Sequence, residues 1–135
     1  VADSELADLN DAVAAVRRDV EATMGDDAVV IEIPWGSEPA DACVYVAGVT
    51  PMATGVVTHP GESLDQLIVR LADTVQDCIV ESRRYRGQAW PRCPIHPSAN
   101  HPLSPRSIEG HSQWVCPVLG DSIAAVGMLP ASGSG

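Results

Sequence analysis

Two of the four cysteines and three of the four histidines lie in the last third of the chain, at spacings that suit a metal site. The pattern is Cys93-x2-His96-x4-His101-x14-Cys116. Zinc prefers a tetrahedron of thiolate and imidazole ligands, and structural zinc sites usually take all four ligands from the protein. A Cys-x2-His turn allows two ligands from one tight loop to reach the same ion. We therefore predict a zinc site formed by these four residues.

The same residues leave alternatives open. His111 competes with His101 for the fourth position, and the proline-fixed loop around His101 favours that residue. Without a metal, the stretch would be a proline-rich surface loop with solvated histidines and buried thiols. A disulfide between Cys93 and Cys116 is a further option. It is disfavoured because we recognise no secretory signal that would indicate an oxidising compartment.

The stretch resembles a C-terminal zinc-ribbon-like segment in small uncharacterised proteins of high-GC Gram-positive bacteria (actinobacteria) and their phages. That segment has the pattern Cys-Pro-x-His, then His-Pro-Leu, then Trp-x-Cys-Pro and a short apolar strand. The matching positions, in order, are Cys93, His96, His101, Leu103, Trp114, Cys116 and Pro117. The resemblance implies a zinc site and carries no known activity.

The net charge of −10 is unevenly distributed along the 135 residues. Residues 1–82 carry 16 acidic and three basic side chains, whereas residues 83–135 carry five arginines and two acids. An acidic body disfavours non-specific nucleic-acid binding, because contacts to phosphate need cations. Arg83, Arg84, Arg86 and Arg92 leave a local contact open, although arginines at the end of a helix also complement its dipole.

No apolar run reaches the roughly 20 residues that are needed to span a bilayer. We therefore expect no membrane contact, and a location in the cytoplasm, or in the virion if the protein is phage-encoded. The four cysteines are then expected to be reduced or bound to metal.

Two amphipathic helices are predicted to frame the first part of the chain. Apolar residues recur at steps of three and four from Leu6 to Val20, with Ser4 as a cap, which predicts a helix over residues 4–24. A dimer through this apolar face is an alternative to packing within the chain. Ser63-Leu64-Asp65-Gln66 is a capping box, and it predicts a second helix that ends near residues 85–87. Cys78 lies on the apolar face of that helix and is predicted to be a core residue.

Three short strands are predicted between the helices, over residues 28–33, 42–47 and 52–58. Their short connections indicate an antiparallel meander. Cys43 is interpreted as a core residue of the second strand. Trp35, in the loop after the first strand, either covers the end of the core or is exposed as a partner contact. His59, a single histidine in a loop, is expected to have no function.

The last part of the chain is predicted to be a small ribbon. A strand over residues 113–117 would carry Cys116, residues 123–129 would pair back onto it, and residues 104–110 would be a mobile excursion. The fold class is therefore α+β. An acidic α+β body (1–87) would be followed by a zinc-ribbon-like lobe (88–129) and a flexible tail (130–135).

We expect a non-catalytic zinc-binding protein that acts in protein interaction or assembly, for example in a phage particle. Trp35 and Trp114 are weak candidates for contacts with a partner protein. One alternative is a zinc hydrolase, which would need an open coordination position and a carboxylate base, and Glu109 and Asp121 are the only acids nearby in sequence. The other is a nucleic-acid-binding ribbon in which Trp90 or Trp114 stacks on a base.

Overall fold

The computed structural model describes residues 3–24, 29–32, 41–46, 54–81, 89–96 and 101–130. It confirms the α+β fold class, with two helices and a three-stranded antiparallel sheet between them. The elements in chain order are α1 (Asp3–Met24), β1 (Val29–Glu32), β2 (Asp41–Val46), β3 (Thr54–Val57), α2 (Leu64–Glu81), β4 (Ser104–Ile108), β5 (His111–Val115) and β6 (Ser122–Ala125).

The predicted meander is confirmed: β2 lies between β1 and β3, and both neighbours run antiparallel to it. Ile31 of β1 and Val56 of β3 are buried in the core. The strands are short because prolines and glycines punctuate the sequence around them. The backbone of Cys43 lies in β2, and its side chain is outside the described part of the structure.

The capping box of α2 is formed as predicted. The backbone N–H of Gln66 donates to Ser63 Oγ at 3.2 Å, and the backbone N–H of Ser63 donates to Gln66 Oε1 at 3.0 Å. These two bonds satisfy donors that have no partner within the first turn of a helix. The other helix, α1, begins at Asp3, one residue before the predicted cap.

The apolar face of α1 packs against α2 inside the chain. Leu9 and Val16 of α1 are fully buried, and so are Leu71, Val75 and Ile79 of α2. Hydrophobic burial of this kind supplies most of the stability of short helices in proteins. The α1 face from Leu9 to Val20 is therefore covered within the chain, whereas Leu6 at its start is 42% exposed.

The C-terminal part contains a second antiparallel sheet, with β5 between β4 and β6. The prediction of a mobile excursion over residues 104–110 is wrong, because Ser104–Ile108 forms β4. Glu109 and Gly110 make the two-residue turn into β5, and both have positive φ (52° and 80°), as a type I′ hairpin turn requires. Pro105 is tolerated because β4 is an edge strand.

The buried residues of the predicted body (1–87) and of the predicted lobe (88–129) form one continuous cluster. Trp90, Cys93, Leu103, Trp114 and Cys116 belong to the same core as the buried faces of α1 and α2. The division into a body, a lobe and a tail stays a prediction.

Several positions named in the predictions lie outside the described residues: Trp35, Arg83, Arg84, Arg86 and most of the tail. Within the described ranges, the structure has no helix long and apolar enough to cross a membrane.

Candidate metal centre

Cys93 and His101 are brought together by two short segments that run antiparallel. The backbone N–H of Leu103 donates to the Pro91 carbonyl at 2.8 Å, and that of Cys93 donates to the His101 carbonyl at 3.2 Å. Arg92 and Pro102 form the bridge between these two bonds. His96 lies in the bend that follows Cys93.

Cys116 approaches the same place from the second sheet. Ser104 pairs with Val115, so the residue after β5 lies at the sheet end where residues 101–103 enter β4. The backbone N–H of Cys116 donates to the Asp121 carbonyl at 2.8 Å, and that of Gly120 donates to the Cys116 carbonyl at 2.7 Å. Gly120 adopts a φ of 77°, which glycine reaches without steric cost. Cys116 thus starts a tight turn directly after β5, which ends at Val115, and the prediction that the strand extends through Cys116 is wrong.

The four side chains converge on one point. Their ligand atoms, one from each of Cys93, His96, His101 and Cys116, all lie within 4.8 Å of one another. His96 Nδ1 is 3.6 Å from Cys93 Sγ and 3.6 Å from Cys116 Sγ, and His101 Nε2 is 3.8 Å from Cys116 Sγ. Both cysteines are buried, whereas both histidines are half-buried. This Cys2His2 group could hold a metal ion.

The surroundings of Cys116 favour its thiolate. The backbone N–H groups of Leu119 and Val118, together with a hydrogen bond from Cys93, lower the pKa of the Cys116 thiol, while burial and the Asp121 carboxylate partly oppose them. The N–H groups belong to the tight turn 117–120, so the same backbone conformation that places the sulfur also stabilises its negative charge. A thiolate is the form that binds a metal.

His111 is not part of the group. It stands at the opposite end of β5 from Cys116, paired with Ile108 beside the hairpin turn, and it is exposed. His59 is also exposed, in the segment before α2. The structure therefore places His101, and not His111, beside the two cysteines and His96. Cys93 and Cys116 are not joined by a disulfide.

Neither acid considered as a catalytic base belongs to the group. Glu109 is an exposed residue of the hairpin turn, away from the end of β5 that carries Cys116. Asp121 is exposed and contacts Cys116 through its backbone carbonyl.

Cys78, which had been predicted to be a core residue, is half-buried on α2 and packs against the core.

Both C-terminal tryptophans are buried, which corrects their proposed roles at the surface. Trp114 is fully buried and Trp90 nearly so, and their rings meet edge to face with centroids 5.6 Å apart. Neither ring is accessible to a base or to a partner protein. The indole N–H groups are instead used inside the molecule, because a buried donor needs an acceptor.

The acceptors for these indoles are residues that sequence reasoning missed. Trp114 Nε1 donates to Asp19 Oδ2 at 2.7 Å, and Trp90 Nε1 donates to Thr23 Oγ1 at 2.8 Å. One signal was present for Asp19: it lies three residues after Val16, within the apolar arc of α1, where a charge needs a buried partner. No such signal marks Thr23.

Among the acids whose side chains the structure describes, only Asp19 is buried. Its side chain is fully buried and accepts backbone N–H bonds from Gly127 (2.6 Å) and Leu129 (2.9 Å) in addition to the Trp114 bond. Burial raises the pKa of Asp19, and these three donors and the nearby Arg18 partly offset that rise. The residue ties α1 to the segment that follows β6.

A comparison with protein-family models, with curated proteins and with solved structures finds no match for this chain.

Proposed function

We propose that this chain is a non-catalytic zinc-binding protein, in which the ion holds the C-terminal loops in a fixed shape and those loops bind a protein partner. The observation that carries the proposal is the convergence of Cys93, His96, His101 and Cys116, whose four ligand atoms lie within 4.8 Å of one another.

The distances support zinc as the metal. A tetrahedral zinc ion, with bonds of about 2.3 Å to sulfur and about 2.0–2.1 Å to nitrogen, separates a sulfur from a nitrogen ligand by about 3.6 Å. Three of the four sulfur–nitrogen distances within the group are 3.6, 3.6 and 3.8 Å. Two thiolates also balance the charge of a divalent ion, so the complete centre would be neutral and suited to partial burial. Tetrahedral S2N2 sites are typical of zinc.

The composition of the group supports a structural role over a catalytic one. A catalytic zinc keeps one position open for water or substrate, and a carboxylate or histidine nearby acts as the base. Here four protein ligands would complete a tetrahedron around the ion, and neither Glu109 nor Asp121 belongs to the group. This composition favours a structural zinc over a zinc hydrolase.

The turns that carry the ligands also present apolar side chains to solvent. Ile95, between Cys93 and His96, is 45% exposed, and Val118 and Leu119, directly after Cys116, are 66% and 56% exposed. A bound ion would fix both turns and hold these side chains in one arrangement. The two turns approach each other where His96 Nδ1 lies 3.6 Å from Cys116 Sγ, and apolar patches at a surface are typical of protein interaction sites. We call this set Ile95, Val118 and Leu119 the turn patch.

The resemblance to actinobacterial and phage proteins extends this proposal to a role and a location. We propose that the chain is a cytoplasmic protein that joins an assembly or, if it is phage-encoded, a component of the virion. Nucleic-acid binding is not favoured by the site, because Trp90 and Trp114 are buried and the chain carries a net charge of −10.

Metal content tests the first half of the proposal. Untagged protein is expected to contain about one zinc per chain by elemental mass spectrometry. Cys116→Ser and His101→Asn are expected to lose it. The matched controls Cys78→Ser and His111→Asn change the same residue types outside the group and are expected to keep it. Wild-type protein without metal, or metal loss in a control, would refute the assignment.

The turn patch is tested by comparing two valines. Wild-type protein is expected to bind its partner protein, and Val118→Ser is expected to abolish that binding. Removal of the metal by a chelator is expected to have the same effect. Val80→Ser is the control, because Val80 is also exposed (41%) but lies on α2. Equal capture by Val118→Ser and wild type would exclude the turn patch as the binding surface.

A further inference from the structure

Each of the two buried tryptophans lies shortly before one cysteine of the metal centre in the sequence. Trp90 precedes Cys93 by three residues, and Trp114 precedes Cys116 by two. Their rings contact each other edge to face, at an interplanar angle of 83°. The ring contact therefore joins the two cysteine-bearing segments a few residues before Cys93 and Cys116.

Helix α1 holds the pair through two residues one turn apart. Asp19 accepts the N–H of Trp114, and Thr23 accepts the N–H of Trp90. The Thr23 hydroxyl donates its own proton to the Asp19 backbone carbonyl at 2.7 Å, which leaves its oxygen oriented as an acceptor. Both bonds join residues that are far apart in sequence, so they form only when α1 is docked.

Helix α2 holds the other side of the ligand loop through Gln76. The side-chain amide nitrogen of Gln76 donates to the Trp90 carbonyl at 2.9 Å and to the Leu103 carbonyl at 2.6 Å. Those carbonyls belong to the two antiparallel segments that carry Cys93 and His101. One amide group therefore uses both of its protons to keep the two segments side by side.

We infer that Asp19, Thr23 and Gln76 are positioning residues of the metal centre: they touch no ligand atom, yet they preorganise the segments that carry Cys93, His101 and Cys116. This inference rests on the proposed function. Fixing the ligands before the ion arrives removes an entropic cost from binding. Metal affinity therefore depends on α1, which contributes no ligand. By linkage, bound metal stabilises the docking of α1 to the same extent.

The test compares two threonines in the full chain. Thr23→Val keeps the shape of the side chain and removes the acceptor for Trp90. Thr74→Val is the matched control, because the Thr74 hydroxyl also donates to the carbonyl four residues earlier, at 3.0 Å, but on α2. Zinc affinity, measured by competition with a chelator, is expected to weaken by about three- to tenfold in Thr23→Val and to stay unchanged in Thr74→Val.

A second readout separates positioning from a general loss of stability. If Thr23 only stabilised the fold, Thr23→Val would lower the Tm of the metal-free and metal-bound proteins equally. A positioning role predicts a smaller metal-induced rise in Tm than in wild type. Trp90→Phe removes the same hydrogen bond from its other end. The double variant should therefore bind zinc no more weakly than the weaker of the two single variants.

The outcomes distinguish this inference from the proposed function. Wild-type zinc affinity and an unchanged metal-induced Tm shift in Thr23→Val, Trp90→Phe and Gln76→Met would overturn the inference and leave the zinc site standing. Wild-type protein that binds no zinc would overturn both. If Thr23→Val does not fold, Trp90→Phe and Gln76→Met decide the question by the same measurements.

Discussion

The indole N–H of Trp114 donates a hydrogen bond of 2.7 Å to the carboxylate of Asp19, and both side chains are fully buried although 95 residues separate them in sequence. The bond connects α1, which contributes no metal ligand, to the strand that leads into Cys116. The same carboxylate accepts the N–H groups of Gly127 and Leu129. One buried acid thus joins the first helix, the strand before a ligand and the segment after the last strand.

Asp19 is expected to make the free energy of unfolding depend on pH. Burial raises the pKa of Asp19 above its ordinary value of 3.8, so the folded state holds this proton more tightly than the unfolded chain does. Its contribution to stability is therefore complete below pH 3.8 and is lost as the pH rises through the raised pKa. Asp19→Asn should remove this component of the pH dependence of the free energy of unfolding.

Urea unfolding of wild type and Asp19→Asn across this pH range provides the measurement. Asp11→Asn is the matched control, because Asp11 is an exposed acid on the same helix. Asparagine has only one acceptor oxygen, so Asp19→Asn should also cost about 1–3 kcal/mol at low pH through a buried N–H left without a partner. A parallel profile in wild type and Asp19→Asn would show that this acid does not couple to folding.

The ligand set predicts the local structure around a bound metal. X-ray absorption at the zinc edge is expected to fit two sulfur ligands at about 2.3 Å and two nitrogen ligands at about 2.0–2.1 Å. His111→Asn should give the wild-type spectrum, whereas His101→Asn is expected to lose the zinc and with it the signal at the zinc edge. A shell of oxygen ligands alone would mean that the ion is bound elsewhere.

Glu62 and Arg70 form a second interaction that depends on pH, and both residues lie outside the four-residue metal group. The Arg70 guanidinium holds the pKa of the Glu62 carboxyl below its ordinary value of 4.5, and it also donates to the Val57 carbonyl at 2.6 Å. The stabilisation by Glu62 is therefore present above pH 4.5 and is lost as the pH falls through the lowered pKa.

Glu62→Gln should reduce the free energy of unfolding by about 1 kcal/mol at neutral pH and by much less in acid. Thermal unfolding at both pH values, with metal content measured in parallel, checks this. Zinc binding should be unaffected, because neither residue contacts the metal centre. An equal loss at both pH values would assign the effect to packing and not to charge.

Gly127 is expected to resist substitution. Its φ is 100°, and a Cβ at this position would lie 3.1 Å from Arg18 Nη2 and 3.3 Å from Ala15 Cβ, both on α1. Gly127→Ala should therefore cost about 1–3 kcal/mol in the free energy of unfolding. Gly55→Ala is the matched control, since nothing lies within 4 Å of the added Cβ there. A neutral Gly127→Ala would show that the segment can move away from α1.

Local features of this protein could be read from its sequence. The apolar stripe of α2 and its Ser63–Gln66 capping box predicted the helix, because periodicity and capping depend on residues only a few positions apart. The alternation of apolar residues predicted the strands, and the short connections between them predicted the meander. The spacing of the cysteines and histidines was sufficient to nominate the four residues that the structure brings together.

The tertiary structure decided what depends on long-range pairing. The choice between His101 and His111 follows from the β4–β5 register, which puts His111 at the wrong end of the hairpin. β4 was missed because its pairing with β5, rather than any apolar alternation of its own, makes it a strand. The role of Asp19 appeared only when Trp114 was found beside it, since a buried hydrogen bond is specified by two residues that sequence proximity does not connect.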